Sequence, residues 1–495
     1  MKLKISNIKA LKAISCLILG SSFLSASAQI GQPFIHDPST LAECDGNYYT
    51  YGTGGGGLVS TDGGWTWSSI KAPEGVNVRP GGGAAPDALK IGDRYLIVYG
   101  ATGGGLGGTH RGEILTMWNK TLDPNSPDFK YSEPNVVAWS EDGDDCDAID
   151  PGLLLDPTTG RLWMSYGTYF GFIRLVELDP ETGKRVEGNE AINIGIDCEA
   201  SDLIYRDGWY YLLGTHGTCC DGVNSTYNIV VGRSRQVTGP YVDNTGRTMI
   251  QGGGKMVIAA HDKVVGPGHF GRTIVTEGIE KMSCHFEADY NQSGYSVLGI
   301  RPLLWKNGWP VAGKVFQEGT YEIESERHGY ALELAVDFKR HDTGVPRRWF
   351  NSTENVEIKP VKTQTLQDVI AEWPTGEISV RNGDYMVRPH QQWTITAVEG
   401  KGGFLGQPYY KITIEGTNRA LVATDKCEVS TVAEFTGADE QLWQIDQMID
   451  GTYRIMPKAI PGTDKKLCLI SIADSKPTLG NFDFNNDNCK WNLNK

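Results

Sequence analysis

The sequence predicts an all-β protein, a five-bladed β-propeller followed by a smaller β domain, and three observations carry that expectation. Short aromatic and β-branched runs such as Tyr48-Tyr49-Thr50-Tyr51 and Tyr95-Leu96-Ile97-Val98-Tyr99 stand between Gly, Asp and Asn turn signals, while long segments of helical period are almost absent. One motif recurs five times before Pro310. Beyond it a different recurrence, centred on tryptophan, takes over.

In each of the five units a polar residue leads into a turn and then a strand. Asp37 precedes Asp45-Gly46-Asn47-Tyr48, and Asp87 precedes Gly92-Asp93-Arg94-Tyr95. Asp150 precedes Thr159-Gly160-Arg161-Leu162-Trp163, Glu199 precedes Asp207-Gly208-Trp209-Tyr210, and His269 precedes Glu277-Gly278-Ile279. The leading residues lie 50, 63, 49 and 70 positions apart, the spacing of four-stranded blades joined by unequal loops. A leading residue that keeps one place in every blade faces a central funnel five times over. Four carboxylates there would repel one another unless substrate, protons or a cation balanced them. Asp-Pro and Asp-Gly are also ordinary turn formers, so any one acid alone reads equally well as a loop residue. Five in phase do not.

The chain of 495 residues exceeds what one core organises, and the motif change divides it into residues 29–315 and 316–495. Residues 1–28 read as a signal peptide. Lys2, Lys4, Lys9 and Lys12 form a basic start, Ala13 to Leu24 is mostly apolar, and Ala26-Ser27-Ala28 is a cleavage site, with the apolar run too short to span a membrane comfortably. The expectation is a secreted protein, periplasmic or extracellular. Loss of the four leader lysines deepens the formal net charge from −14 to −18. Such a chain repels phosphate backbones and gains nothing from anionic membranes, which disfavours nucleic-acid and membrane partners and suits a neutral polysaccharide. Removing Cys16 leaves nine cysteines of the ten, none at zinc-ribbon spacing. Adjacent Cys219-Cys220 leaves open a vicinal disulfide, two thiols or separate partners.

Several segments together resemble one family. They are His36-Asp37-Pro38-Ser39, Ala148-Ile149-Asp150-Pro151, Cys198-Glu199-Ala200-Ser201, the stretch from Cys219 to Tyr227, Val231-Gly232-Arg233-Ser234, Thr238-Gly239-Pro240-Tyr241, Gly252-Gly253-Gly254 and Gly266-Pro267-Gly268-His269. Residues 34–312 thereby resemble the endo-α-1,5-L-arabinanases of glycoside hydrolase family 43. The resemblance implies an inverting hydrolase of arabinan with Asp37 as general base, Glu199 as general acid and Asp150 orienting the acid and raising its pKa. It also implies that His269 helps hold an axial calcium ion (Ca2+) through a mainly water shell. The chemistry agrees: glycoside hydrolysis needs an acid kept protonated near neutral pH and a base that activates water, and a buried ring of carboxylates supplies both. Ala84-Ala85-Pro86-Asp87 departs from the family's Trp-Ala-Pro-Asp, and Cys198 replaces an aliphatic.

Asp87, Tyr169, Phe170 and His216 are the candidate substrate-binding residues. Flat aromatic faces at Tyr169 and Phe170 suit sugar rings, and equally suit packing within a loop. His285 reads as structural. An exo-acting arabinofuranosidase or β-xylosidase on the same fold is the nearest alternative, and a non-catalytic glycan-binding protein is the alternative from another class. Retention of Asp37, Asp150 and Glu199 together argues against the latter. No Gly-x-Ser-x-Gly elbow supports a serine hydrolase.

In the second domain Gln391-Gln392-Trp393, Gln441-Leu442-Trp443 and Cys489-Lys490-Trp491 close three strand-rich units, with tryptophans 50 and 48 apart. They resemble the ricin-type β-trefoil, with the tryptophans in the core; a lipocalin-like barrel is the alternative shape. The third copy lacks the glutamine, and a segment around 340–375 stretches the first. Such a domain either binds carbohydrate or buttresses the propeller. The whole is expected to act as a monomer.

Overall fold

Asp45-Gly46 and Asp207-Gly208 place successive residues at positive φ (52° and 80°; 50° and 76°), the two-residue turn whose twist matches paired strands. Around turns of this kind the described residues up to 312 build five sheets, antiparallel except where Ile30–Gly31 pairs parallel with Thr66–Ile70. The computed structural model describes residues 30–31, 33–71, 83–102, 111–271, 275–336, 365–403, 406–472 and 476–495. The expected signal peptide and the glycine-rich stretches at 81–82 and 103–105 lie outside them.

The blades begin with the inner strands Ala42–Cys44, Ala84–Ile91, Gly152–Leu155, Glu199–Arg206 and Val264–Gly271, and each blade then steps outward strand by strand. Separate apolar clusters fill the gaps between neighbouring sheets. Tyr49 and Tyr51 meet Ala88 and Ile97, Leu96 and Ile114 meet Leu162 and Met164, and Leu154 and Trp163 meet Leu203 and Leu212. Val231 and Ile229 meet Phe286 and Met282, and Leu298 and Ile300 return to Leu41 and Trp67. Sheets buried on both faces close into a ring because the last cluster joins the fifth blade to the first. Phe34 bridges Val297, and the Leu298 amide donates to the Pro33 carbonyl at 2.8 Å, locking that closure.

Among its described residues the second domain has twelve strands in three units of four. The first is Gly319–Ser325, Ala331–Leu334, Ile378–Gly383 and Trp393–Gly402. The second is Pro408–Ile414, Ala420–Ala423, Val429–Val432 and Trp443–Gln447, and the third is Tyr453–Pro457, Cys468–Ile472, Lys476–Gly480 and Trp491–Asn494. In every unit the tryptophan is fully buried and its indole N–H reaches a leucine carbonyl: Trp393 to Leu332 (2.7 Å), Trp443 to Leu421 (3.0 Å) and Trp491 to Leu469 (2.8 Å). That three-fold repetition is the β-trefoil. The stretch of the first unit falls between Leu334 and Ile378 in the sequence, and its residues 337–364 lie outside the described ones.

The trefoil docks under the fifth blade. Gly278 O accepts from Ile449 N at 3.0 Å, and Ile449 O accepts from Trp305 N at 2.9 Å. Buried Lys281 stands 3.7 Å from buried Asp446, which also accepts from Arg454 at 2.8 Å. Glu277-Gly278 and His269 occupy opposite ends of the fifth blade's inner region, so the second domain attaches at the end away from His269.

Candidate active site

Five non-glycine residues, one in each blade, share a left-handed backbone: Asp37 (φ 52°), Ala85 (44°), Asp150 (55°), Ala200 (45°) and His269 (56°). In three blades the inner strand slips register there, between Ala84 and Asp87, Glu199 and Asp202, and Gly268 and Gly271. These are β-bulges, which re-aim side chains at a sheet end. A left-handed residue with a Cβ costs roughly 1–2 kcal/mol, so five at one level mark a feature the ring imposes. The true phase of the repeat therefore runs through Asp37, Ala85, Asp150, Ala200 and His269. Counting from acid to acid put Asp87 two residues late and Glu199 one early, because the bulge residue carries no sequence signature.

The consequence for Asp87 is a correction. It is buried, its Oδ1 accepts from Thr40 N (3.1 Å) and its Oδ2 from Leu153 N (2.9 Å). Asp87 thus braces its blade to both neighbours, and its charge also acts on His269. The expected ring of five funnel residues is reduced to a cluster built on Asp37, Asp150, Glu199 and His269.

Within that cluster the acids are driven apart in ionisation. Burial pushes Asp37 up, but contacts from His269 and His36 outweigh it and hold the carboxyl well below the usual range. Asp37 Oδ2 lies 2.8 Å from His36 Nδ1 and accepts from the Thr53 hydroxyl at 2.6 Å, and its backbone N–H donates to His285 Nδ1 at 3.0 Å. His269 Nδ1 stands 3.6 Å from Asp37 Oδ1, close enough for charge attraction but not for a hydrogen bond. Glu199 goes the other way. Burial raises it, the Tyr227 hydroxyl bond lowers it, the Asp37 charge raises it again, and the carboxyl is pushed up to about 8. Asp150 is raised as well, by burial and then by the charges of Glu199 and Asp37, while its Oδ2 accepts from Ala200 N at 3.1 Å. Asp150 and Glu199 therefore titrate as a pair that retains a proton at neutral pH, beside an ionised Asp37.

A second layer, unforeseen as a unit, supports Asp37. His36 Nε2 meets Glu287 Oε1 at 2.9 Å, and Glu287 also accepts from Cys220 N at 3.1 Å. Burial opposes the charge on His36, but the two carboxylates on its ring prevail and push it up to about 10; burial likewise opposes Glu287, which the bonds to His285 and His36 bring down to about 2. Cys219 and Cys220 form a disulfide on this wall. His36 and Tyr227 lay within the motifs already singled out. Glu287 left no signal, since its partner His36 is 251 residues away.

Tyr169 and Phe170 sit in the loop after Leu162–Tyr166, at the same end as Asp150, with ring centroids 4.6 Å apart. Phe170 is half exposed, and the charges of Glu199 and Asp150 add to burial in raising the Tyr169 phenol, so Tyr169 lies at the cluster. His216 does not. Its neighbour Thr215 turns inward, where its hydroxyl accepts from His269 N at 2.8 Å, and strand alternation sends His216 to the other face. There it stands 3.4 Å from Asp197 and lines a separate hollow of about 280 Å³ with Cys198, Asn228 and Met256.

His269 Nδ1 is buried without a hydrogen-bond partner. Among the described residues, the groupings of three or more donors involve His36 with Asp37 and His285, or His36 with Cys219, Cys220 and Glu287, and neither includes His269. One imidazole nitrogen suits a hard cation only if water supplies most of the six to eight oxygens it takes.

This geometry has relatives. An extracellular endo-α-(1→5)-L-arabinanase of Bacillus subtilis is 31% identical over 313 residues, covering 59% of this chain and 90% of that protein. An extracellular exo-α-(1→5)-L-arabinofuranosidase of Cellvibrio japonicus is 31% identical over 329 residues, covering 60% and 91%. The solved structure of a family 43 endo-arabinanase from Bacillus licheniformis superposes with a TM-score of 0.51 at 31% identity, covering 58% of this chain and 99% of that one. Residues 389–463 match the ricin-type beta-trefoil lectin domain-like family. Residues 29–310 match glycosyl hydrolases family 43, and with the acid cluster in place on five blades, the chain belongs to that family of glycosidases.

Proposed function

We propose that the protein cleaves internal α-1,5-linked arabinofuranosyl bonds of arabinan with inversion at the anomeric carbon. The observation that carries the reading is the split between Asp37, held ionised, and Glu199, pushed up to about 8. Glu199 then donates its proton to the leaving oxygen while Asp37 takes one from the attacking water, and both changes occur in one displacement. Asp150, itself raised by burial and by the charges of Glu199 and Asp37, fixes the Ala200 amide beside the acid. Tyr227 steadies the Glu199 carboxylate that remains after the proton has left. His36 and Glu287 keep Asp37 ionised between turnovers.

The endo-acting Bacillus relatives support this mode, and the exo-acting Cellvibrio relative supports release of units from chain ends as a second reading. Sizing products from linear arabinan over time separates them. A ladder of oligosaccharides is expected at early times, and monosaccharide alone from the start would replace endo by exo action. A calcium ion near His269, held largely through water, would supply fixed positive charge beside the carboxylates. Exhaustive chelation should lower the melting temperature, and an unchanged melt removes the ion. We also propose that the leader exports the protein, that it works as a monomer and that the trefoil holds polysaccharide at the end of the propeller remote from the acids, raising local substrate concentration. Retention of the Glu199→Gln variant on insoluble arabinan tests the trefoil's part.

A further inference from the structure

The three trefoil units can be superposed on their tryptophan–leucine bonds, and two other positions then come into register. The residue before the accepting leucine is Ala331, Ala420 and Cys468, and the residue two before the tryptophan is Gln391, Gln441 and Cys489. In the first two units the small alanine lies fully buried. The glutamine secures the preceding loop: Gln391 accepts from Met386 N at 3.0 Å and donates to Asp384 O at 2.7 Å, and Gln441 accepts from Thr436 N at 2.7 Å. The third unit has neither residue. An alanine and a glutamine have both become cysteine, at two places the fold brings together.

The geometry agrees with the register. Cys468 opens the strand Cys468–Ile472 and Cys489 ends the turn Asp487–Cys489, and both are buried at 0% and 2% exposure. The bond from the Trp491 indole to Leu469 O, 2.8 Å, lies between their neighbours. The strand that Cys468 opens packs against the turn that Cys489 ends, and each thiol shifts the ionisation of the other. As a thiol, Cys489 keeps only a long contact of 3.6 Å to Asn481 O, a weak substitute for the glutamine bonds. We propose that Cys468 and Cys489 form a disulfide in the exported protein, a covalent replacement for the loop tether that glutamine makes in the other two units.

The step is a thiol–disulfide exchange. The Cys489 thiolate attacks a sulfur of a disulfide exchange partner in the oxidising compartment, Cys468 displaces that partner, and the two protein thiols give up two protons and two electrons as the partner's disulfide becomes two thiols. Hydrogen bonding from Cys468 opposes burial and brings the Cys489 thiol down to about 7, which favours it as the attacking group. The bond closes a loop from 468 to 489, a length at which a cross-link restricts the unfolded chain appreciably. It lies at the docked end of the molecule, where Phe484 N donates to Glu277 of the propeller at 3.0 Å. The proposal rests on export but not on arabinan as the substrate.

Mass spectrometry of the full chain recovered from an oxidising compartment tests it. The proteolytic fragment spanning 467–490 should be lighter by two hydrogens than its reduced form and should take up alkylating label only after reduction. Labelling of both thiols in unreduced, unfolded protein, with Cys219–Cys220 still bonded, would overturn the proposal. A double variant, Cys468→Ala with Cys489→Gln, restores the pair found in the other units. Against a common background with the vicinal pair intact, reduction should lower the trefoil's melting temperature by roughly 5–10 °C in the parent and not in the variant. An equal response in both would also overturn it. Arabinan hydrolysis should be the same in parent and variant, so a failed substrate assignment leaves this result untouched.

Discussion

The propeller and the trefoil both repeat a backbone around an axis, and they use that repetition in opposite ways. The propeller sets one left-handed position in five blades and fills it with three residue types: Asp37 and Asp150, Ala85 and Ala200, and His269. The trefoil sets one position in three units and fills it every time with the same residue, Trp393, Trp443 and Trp491, each fully buried. Repeating a large apolar group builds a core. Varying a polar group on a repeated frame builds a site, because unlike neighbours push ionisation in different directions. A shared backbone level thus supports reaction chemistry only where the side chains on it have diverged.

The sharpest way to break this contrast is to neutralise one acid of the propeller's cluster. Glu199→Gln and Asp37→Asn should each reduce hydrolysis by about 10³-fold or more with unchanged circular dichroism, since each removes a proton-transfer group without changing shape. Retained turnover in either variant would dissolve the role assignment. On the trefoil side, Trp443→Ala should destabilise its domain by about 3–5 kcal/mol, through the lost volume and the orphaned Leu421 carbonyl, while hydrolysis of a short soluble substrate persists. Simultaneous loss of activity would mean that the two regions are not energetically distinct.

Titration sharpens the comparison further. The rate should fall as pH rises through about 8, where Glu199 loses its proton, and should hold on the acid side well below the usual carboxylate range, where Asp37 stays ionised. Because the folded Glu199 binds its proton more tightly than the unfolded chain does, its stabilising share is also present at lower pH and lost as pH rises through about 8. Tyr227→Phe removes the bond that lowers Glu199, so the alkaline limb should move upward by roughly one pH unit. A stationary limb would show that another group sets it. The smallest effect is the most specific to the repeat. Ala85→Gly should stabilise by about 0.5–1 kcal/mol by relieving a left-handed Cβ, whereas Ala88→Gly, three residues along the same strand, should destabilise. If calorimetry finds both destabilising, the shared five-blade level is misidentified.

Much of this was written in the chain order itself. Strand runs between Asp-Gly turns specify blades through local propensity, and tryptophans 50 and 48 apart specify three equal units, because both signals reside in neighbouring residues. Asp37, Asp150, Glu199 and His269 were visible for the same reason, each sitting in a short motif at the head of an inner strand. Spacing set Asp87 two positions past the left-handed residue of its blade, and His216 was a candidate without a spacing signal. A bulge adds a residue without changing composition, and it leaves Asp87 bonded to a pair of backbone amides beside His269. Strand alternation sends His216 to the face opposite Thr215.

Tertiary structure alone decided the rest. Glu287 meets His36 across 251 residues, Asp87 links three blades, and the Ala-Gln to Cys-Cys replacement becomes a pair only when the trefoil units are laid over one another. Local propensity is a property of neighbours along the chain, and it determined the strands, the turns and the count of repeats. Ionisation, bracing and cross-linking are properties of neighbours in space, set by which blades close the ring and by which faces their bulges turn toward its axis.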